Sequence, residues 1–100
     1  MLKQNEIIRK IEENKKTIRA FGVRELILIG SYARGDAGKD SDIDFVVEFE
    51  SGRGLFDDYV HLVQFLKDLL EKNVDMGDKH LIRKELLSAM LRGKKIEAKI

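Results

Sequence analysis

Two aspartates, Asp42 and Asp44, lie two positions apart at the start of the alternating segment SDIDFVVEFE, residues 41–50. On a β-strand, residues i and i+2 project from one face, with side-chain bases roughly 6–7 Å apart. Two carboxylates at that separation repel each other unless a cation lies between them. Hard divalent cations such as Mg²⁺ bind carboxylate oxygens and keep positions open for phosphate oxygens. The pair therefore indicates either a cation site or a turn residue followed by a solvated strand position.

A Gly-Ser step, Gly30-Ser31, follows directly after an apolar run and precedes the two aspartates by ten residues. Glycine allows the backbone to approach a ligand closely, and exposed N–H groups beside a serine hydroxyl suit a phosphate group. The same step also occurs at strand ends for purely structural reasons. Taken alone, the step leaves both a phosphate site and a purely structural role open.

A third carboxylate, Asp75, lies in the short segment NVDMGD, residues 73–78. If this segment forms a strand beside the Asp42–Asp44 strand, it brings Asp75 to the first two carboxylates. Three carboxylates facing a phosphate-binding turn predict a two-metal phosphoryl or nucleotidyl transfer site, in which the metals lie about 3.5–4 Å apart. The alternative for Asp75 is a turn carboxylate ahead of Gly77.

The elements that would position these residues follow from hydrophobic periodicity and turn signals. The pattern predicts a helix over 2–20 capped by Gly22, strands over 25–30, 41–50 and 73–78, a helix after the SGRG turn at 51–54, and a last helix over 79–92 stopped by Gly93. The tail, residues 94–100, fits either a last strand or an extension used for contacts. In the second strand, one face carries the apolar side chains Ile43, Phe45, Val47 and Phe49. This order predicts a single α/β (α+β) domain over 1–100, with a small mixed β-sheet flanked by helices.

Composition narrows the class of protein further. The 100 residues include no cysteine, which excludes disulfides and thiolate metal sites and agrees with a reducing cytoplasm. No apolar run approaches the length of a membrane span, and the charged N-terminus is unlike a signal peptide. Residues 31–75 carry eleven acidic and five basic side chains, whereas both flanks are basic. An acidic centre suits a cation site, and a pI near 8.0 does not indicate a nucleic-acid footprint.

The string GSYARGDAGKDSDIDFVV followed by VDM resembles the DNA-polymerase-beta-type nucleotidyltransferase superfamily, in particular its minimal nucleotidyltransferases. The resemblance implies that Gly30 and Ser31 hold the triphosphate of ATP, with help from Arg34. It also implies that Asp42, Asp44 and Asp75 bind two Mg²⁺ ions, and that Asp75 helps to activate the attacking hydroxyl. Met76-Gly77-Asp78 departs from the more apolar continuation of such proteins and predicts a short third strand.

Minimal nucleotidyltransferases are typically paired with a HEPN-domain ribonuclease, so the resemblance further implies a toxin–antitoxin pair. The chain would be the antitoxin and would transfer AMP to a tyrosine hydroxyl of the HEPN toxin. A binding antitoxin of the same fold, which neutralises its partner by stoichiometric contact, remains an alternative. Small-molecule nucleotidyltransferases are a weaker option because they carry an extra acceptor domain. Of the other chemistry-bearing residues, Tyr32 fits base stacking or packing, and His61 and His80 lack zinc-ligand spacing.

Overall fold

The structure, a computed structural model, describes residues 2–92 and 95–100. Its elements, in chain order, are α1 (Gln4–Glu13), α2 (Lys15–Ala20), β1 (Val23–Ile29), α3 (Gly30–Arg34), β2 (Ile43–Phe49), α4 (Phe56–Leu70), β3 (Val74–Asp78), α5 (Lys84–Arg92) and β4 (Ile96–Ala98). Each predicted strand is present, with ends that differ by one or two residues from the sequence pattern. Within the described ranges, none of the helices has both the length and the apolar content needed to cross a membrane.

The four strands form one mixed sheet in the order β3-β2-β1-β4. β1 pairs antiparallel with both β2 and β4, whereas β2 pairs parallel with β3. A parallel pair requires a crossover, and α4 supplies it between β2 and β3. The predicted α/β class with a small mixed sheet is confirmed.

The two faces of the sheet are covered differently. On one face, the alternating residues of β2 pack with α1 and α4 in the main core, which includes Ile43, Phe45, Val47, Phe49, Ile7, Ile11, Leu62 and Leu66. The opposite face carries a smaller cluster of Ile27, Ile29 and Val46, which Leu87 and Leu91 of α5 cover. The alternation predicted for β2 is therefore correct. β1 is buried on both faces, as its continuous apolar run indicated.

The single helix predicted over residues 2–20 is wrong, because the chain forms two helices that meet at Asn14. Asn14 leaves helical geometry with ψ near 20°, and its side-chain Nδ2 donates to the Lys10 carbonyl at 2.8 Å. Asparagine competes with the helical backbone for hydrogen bonds in this way, which favours a cap over a helix interior. Ile11 and Ile18 are nevertheless both fully buried, so the apolar stripe continues across the break.

The start predicted for the last helix is also wrong: α5 begins at Lys84 rather than near residue 79. The Asp78 carboxylate accepts the His80 N–H at 2.9 Å, and the Asp78 carbonyl accepts the Leu81 N–H at 3.0 Å. These bonds fold the start of the segment into an aspartate turn before the helix can begin. The tail forms β4, where Ile96 and Ala98 pair with β1, so the strand alternative is correct. The predicted stop at Gly93 lies outside the described residues.

Candidate functional site

Two of the predicted site aspartates are register partners on neighbouring strands. β2 and β3 run parallel with Asp44 opposite Asp75, and Ile29 of β1 is the partner of Asp44 on the other side. Neighbouring strands lie about 4.8 Å apart, so the two carboxylates project side by side from one face. That face is the one covered by α5. The prediction that a third strand brings Asp75 next to Asp44 is therefore confirmed.

The carboxylate of Asp44 is electrostatically disfavoured in its charged form. Its pKa is raised, first because the half-buried side chain is partly desolvated and then because of repulsion from Asp75 and Asp42. The positive charge of Arg34 acts in the opposite direction and lowers the pKa. A cation bound among these carboxylates would remove the repulsion that raises the pKa. The donor chemistry, carboxylate oxygens only, fits Mg²⁺.

A second pair of carboxylates on the sheet provides an internal comparison. Glu25 and Glu48 are also register partners, on β1 and β2. Lys79 Nζ lies 3.2 Å from Glu25 Oε1 and 3.9 Å from Glu48 Oε1, so the chain itself offsets part of the charge of this pair. Among the described residues, no ion pair reaches Asp44 or Asp75. The chain thus compensates one carboxylate pair with a lysine and leaves the other open to an external cation.

Asp42 is less closely integrated into this arrangement. It precedes β2, is exposed, and lines a separate polar cleft with Lys39, Lys67 and Lys72. In residues 2–92 and 95–100, no three His, Cys, Asp or Glu side chains converge on one point as they stand. Asp42 and Asp75 are both exposed, so their side chains have the freedom to turn toward Asp44 around an ion. With Asp42 and Asp75 turned toward Asp44, the three residues fit a divalent cation.

Gly30 is fixed at this site by two independent constraints. Its φ is +75°, a backbone conformation that residues with a side chain rarely adopt. A Cβ added to Gly30 would lie 3.1 Å from Asp44 Cγ and still closer to Asp44 Oδ2. The backbone at the end of β1 therefore lies directly against the Asp44 carboxylate. Only glycine permits this approach.

Ser31 and Arg34 lie on the short helix that begins at Gly30. The Ser31 carbonyl accepts the N–H groups of Gly35 at 2.9 Å and Asp36 at 3.0 Å, which closes α3 with Gly35 in the left-handed region. Arg34 Nε donates to Asp36 Oδ2 at 3.2 Å in an exposed pair. Exposed pairs of this kind are weak, so the guanidinium can be redirected toward a ligand. Arg34 is already near enough to Asp44 to lower its pKa.

The remaining candidates from the sequence are separate from this site. Tyr32 is 2% exposed and belongs to the main core, so the packing alternative is correct and base stacking is excluded. His61 is exposed on α4, with its ring centroid 6.4 Å from that of Phe21. His80 Nε2 lies 3.5 Å from Glu48 Oε2, beside the compensated carboxylate pair.

A groove beside the carboxylates was not predicted. It has a volume of about 820 Å³ and runs between β3 and the last helix, with Asp44 and Asp75 on one side and Ile82, Leu86 and Met90 on the other. Leu86 is 58% exposed and Met90 38% exposed, so α5 has more apolar surface than its packing uses. The sequence signal for this groove is the excess of apolar residues in the last helix, a pattern that fits either a core face or a surface for a partner.

A glycine-led turn after β1, facing paired carboxylates on β2 and β3 of a mixed sheet, defines the core of a nucleotidyltransferase. The sequence profile of the nucleotidyltransferase domain family matches residues 5–99. The chain is 38% identical over 93 residues to the protein adenylyltransferase MntA of Thermococcus cleftensis, covering 92% of this chain and 93% of that protein. The chain therefore belongs to the nucleotidyltransferase domain family and is a nucleotidyltransferase, as the sequence resemblance implied.

Solved structures agree with this assignment. A structure described as a minimal nucleotidyltransferase superposes with a TM-score of 0.80 at 30% identity, covering 95% of both chains. A toxin-antitoxin structure with AMP-PNP gives a TM-score of 0.68 at 23% identity, covering 98% of this chain and 73% of that one. An MNT antitoxin complex with tri-AMPylated Shewanella oneidensis HEPN toxin gives 0.63 at 19% identity, covering 92% and 71%. At below 25% identity, the last two likenesses show that the fold is shared.

Proposed function

We propose that this chain transfers AMP from ATP to a tyrosine hydroxyl of a HEPN-domain partner, and that it acts as the antitoxin of the pair in the cytoplasm. The observation that carries the proposal is the pair of neighbouring carboxylates, Asp44 and Asp75. No described ion pair offsets their charge, and the Gly30 backbone lies directly against Asp44. Sequence similarity supports the proposal, since the 38% identical relative MntA of Thermococcus cleftensis is a protein adenylyltransferase. The AMPylated HEPN toxin in the Shewanella complex supports the partner class.

Each site residue has a distinct part in the proposed reaction. Gly30 and Ser31 bind the triphosphate with their backbone N–H groups and the serine hydroxyl, while Arg34 turns from Asp36 toward a phosphate oxygen. Asp42, Asp44 and Asp75 would hold two Mg²⁺ ions. When bound, these ions would offset the charge of the triphosphate and of the departing pyrophosphate. Asp75 is the exposed carboxylate of the pair and accepts the proton of the attacking hydroxyl.

Transfer then needs positioning and charge compensation rather than a covalent enzyme intermediate. The acceptor oxygen attacks the α-phosphorus of ATP, and the bond from that phosphorus to the pyrophosphate breaks. The close approach of Gly30 to Asp44 places the phosphate turn directly beside the carboxylate pair. The end of β1 and the start of β2 provide this placement.

The experiment is incubation of the chain with radiolabelled ATP, Mg²⁺ and its HEPN-domain partner. We expect label on the partner with wild type, and a loss of roughly 100-fold or more with Asp42→Asn plus Asp44→Asn. Asp57→Asn plus Asp68→Asn is the matched control, because it makes the same charge change at exposed positions of α4. Equal labelling by the two double variants would refute the site assignment.

Neutralisation by contact is the alternative, and the exposed apolar side chains favour it as a second candidate. Leu55 is 75% exposed, Phe56 80% and Leu81 84%, which offers a surface for a protein partner. In this case the Asp42→Asn plus Asp44→Asn variant would still suppress the partner's ribonuclease activity, and neither form would transfer label. Suppression that requires both ATP and the aspartates would exclude it.

A further inference from the structure

The loop over residues 35–42 joins the two halves of the site. It begins at Gly35, which ends the phosphate-turn helix α3, and it ends at Asp42, directly before β2. Within the loop, the Gly38 N–H donates to Ser41 Oγ at 2.8 Å, and the Ser41 N–H donates to the Gly38 carbonyl at 3.2 Å. This turn shapes the loop locally but does not attach it to the rest of the chain.

Two hydrogen bonds attach the backbone around Asp42 to the connection between α4 and β3. Lys72 Nζ donates to the Lys39 carbonyl at 2.7 Å, and the Ile43 N–H donates to the Asn73 carbonyl at 3.0 Å. Lys72 and Asn73 are neighbours in the chain, so they hold the backbone on either side of Asp42. In residues 2–92 and 95–100, the bond from Lys72 is the only hydrogen bond that joins the middle of the loop to another part of the fold.

The backbone at the end of α4 leads directly into Lys72. Glu71 has a φ of +53° and is the one non-glycine residue of the described ranges with a positive φ. Its N–H donates to the Lys67 carbonyl at 2.8 Å, which closes α4. Helices commonly end on glycine in this conformation, because a side chain makes the left-handed region unfavourable. A glutamate there indicates that surrounding contacts hold the turn, and the Lys72 hydrogen bond is one of them.

Asp42 is the site carboxylate that depends most on such support. Asp44 and Asp75 lie on paired strands, whereas Asp42 precedes β2 and is exposed. A cation that binds all three carboxylates requires the Asp42 backbone to stay close to the other two. If the loop is free, binding must first order it, and the lost conformational entropy lowers the affinity for the ion.

We infer that Lys72 is a positioning residue for cation binding, because its hydrogen bond to the Lys39 carbonyl fixes the loop that carries Asp42. The inference rests on the proposed function, whose metal site it concerns. Lys72 and Asp42 line the same cleft, so the ammonium charge itself repels a cation bound nearby. Charge alone therefore predicts that removal of Lys72 strengthens cation binding. Positioning predicts that removal weakens it, and the sign of the change separates the two effects.

The binding test titrates Mg²⁺, without nucleotide, into the ¹⁵N-labelled chain and follows the amide resonances of Asp42, Asp44 and Asp75. We expect Lys72→Met to raise the Mg²⁺ dissociation constant about tenfold. Lys72→Arg keeps a donor for the carbonyl and should restore most of the affinity. Lys67→Met is the matched control, because Lys67 lines the same cleft and its ammonium has no hydrogen bond or ion pair among the described residues. The control should bind Mg²⁺ as tightly as wild type or more tightly.

Two further measurements distinguish positioning from a general structural role. Backbone ¹⁵N relaxation should give lower order parameters over residues 37–41 in Lys72→Met but not in Lys67→Met. In AMP transfer, the Mg²⁺ concentration for half-maximal labelling should rise about tenfold in Lys72→Met, with labelling at saturating Mg²⁺ close to wild type. The inference is overturned if Lys72→Met binds Mg²⁺ as tightly as wild type or more tightly. It is also overturned if wild type binds no Mg²⁺ at these aspartates.

The outcomes separate this inference from the proposed function. If wild type labels the HEPN partner and Lys72→Met keeps full Mg²⁺ affinity, the positioning role is wrong and the function stands. If Lys72→Met instead loses affinity for AMP-PNP alone, Lys72 binds the nucleotide and the positioning role is again wrong. If wild type labels no partner but Lys72→Met, unlike Lys67→Met, weakens Mg²⁺ binding, the proposed function is wrong and Lys72 positions a cation site of another use.

Discussion

Substitution of Gly30 by alanine tests whether the contact between the phosphate turn and Asp44 organises the site. The change adds one methyl group at a φ of +75°, 3.1 Å from Asp44 Cγ. Gly35→Ala is a matched control at the other end of the same short helix, where Gly35 is the C-cap of α3. Gly35 has a φ of +86°, and an added Cβ there meets no atom within 4 Å. The control therefore carries the backbone penalty without the contact.

The magnitudes follow from separating these two effects. A left-handed backbone costs a residue with a side chain about 1–2 kcal/mol, and both variants carry this cost. Forcing a methyl group into an occupied space adds about 1–3 kcal/mol, which applies only to Gly30→Ala. We therefore expect the free energy of unfolding to fall by about 2–5 kcal/mol for Gly30→Ala and about 1–2 kcal/mol for Gly35→Ala. Displacement of Asp44 by about 1 Å predicts a loss of transfer of roughly 100-fold.

Urea denaturation and AMP transfer to the partner measure the two quantities. Relief of the contact supplies a further check, since Gly30→Ala should cost less in an Asp44→Ala background than in wild type. The reasoning is refuted if Gly30→Ala and Gly35→Ala lose equal stability and equal activity. It is also refuted if the cost of Gly30→Ala does not depend on the side chain at Asp44.

Three further predictions concern the framework around the site. Asp58 accepts two bonds from Arg53 and one from Gly54, each at 2.9 Å, and its pKa is lowered to about 2 by the Arg53 hydrogen bonds and the Gly54 N–H. Because the pKa is lowered on folding, the stabilisation is present above the ordinary value near 4 and is lost as the pH falls from 4 toward 2. We therefore expect the urea midpoints of wild type and Asp58→Asn to converge over that interval. A constant difference between the two midpoints would contradict this. The Tyr59 hydroxyl donates a hydrogen bond to the Met76 carbonyl of β3. Tyr59→Phe should therefore lower the free energy of unfolding by about 1 kcal/mol in urea titrations. An unchanged free energy would show that this bond is not net stabilising. Leu66 is fully buried between α4 and the sheet, and Leu66→Ala should cost about 2–5 kcal/mol by thermal or urea unfolding, against less than about 0.5 kcal/mol for the exposed control Gln64→Ala.

Much of the sheet could be predicted because its signals are local. The alternation in β2 and the continuous apolar run in β1 report directly on which faces are covered. The errors occurred where side chains form hydrogen bonds to the backbone. Asn14 ends α1 and Asp78 delays α5, and hydrophobic periodicity contains no information on either bond.

The site was only partly predictable for a different reason. Gly30 and Asp44 are close because β1 and β2 are antiparallel neighbours, with Ile29 opposite Asp44. The motif spacing predicted one site for the Gly-Ser step and the aspartates, but it did not predict this pairing. The groove depends on where α5 lies over the sheet, which is a tertiary relation with no local signal. Leu86 and Met90 therefore resembled core residues in the sequence, although both are exposed beside the carboxylates.

The two carboxylate pairs of the sheet show why register, rather than acidity alone, identifies the reactive end. Glu25 and Glu48 are register partners, as Asp44 and Asp75 are, and repulsion alone would make either pair a candidate cation site. Lys79 contacts both glutamates, so an ion there would have to displace a built-in charge. No described lysine or arginine pairs with Asp44 or Asp75, and Gly30 occupies the space where a side chain would separate them from the phosphate turn. The sheet thus leaves without an ion-pair partner the carboxylate pair that lies beside the Gly30 backbone, and a bound cation would be stabilised at that position.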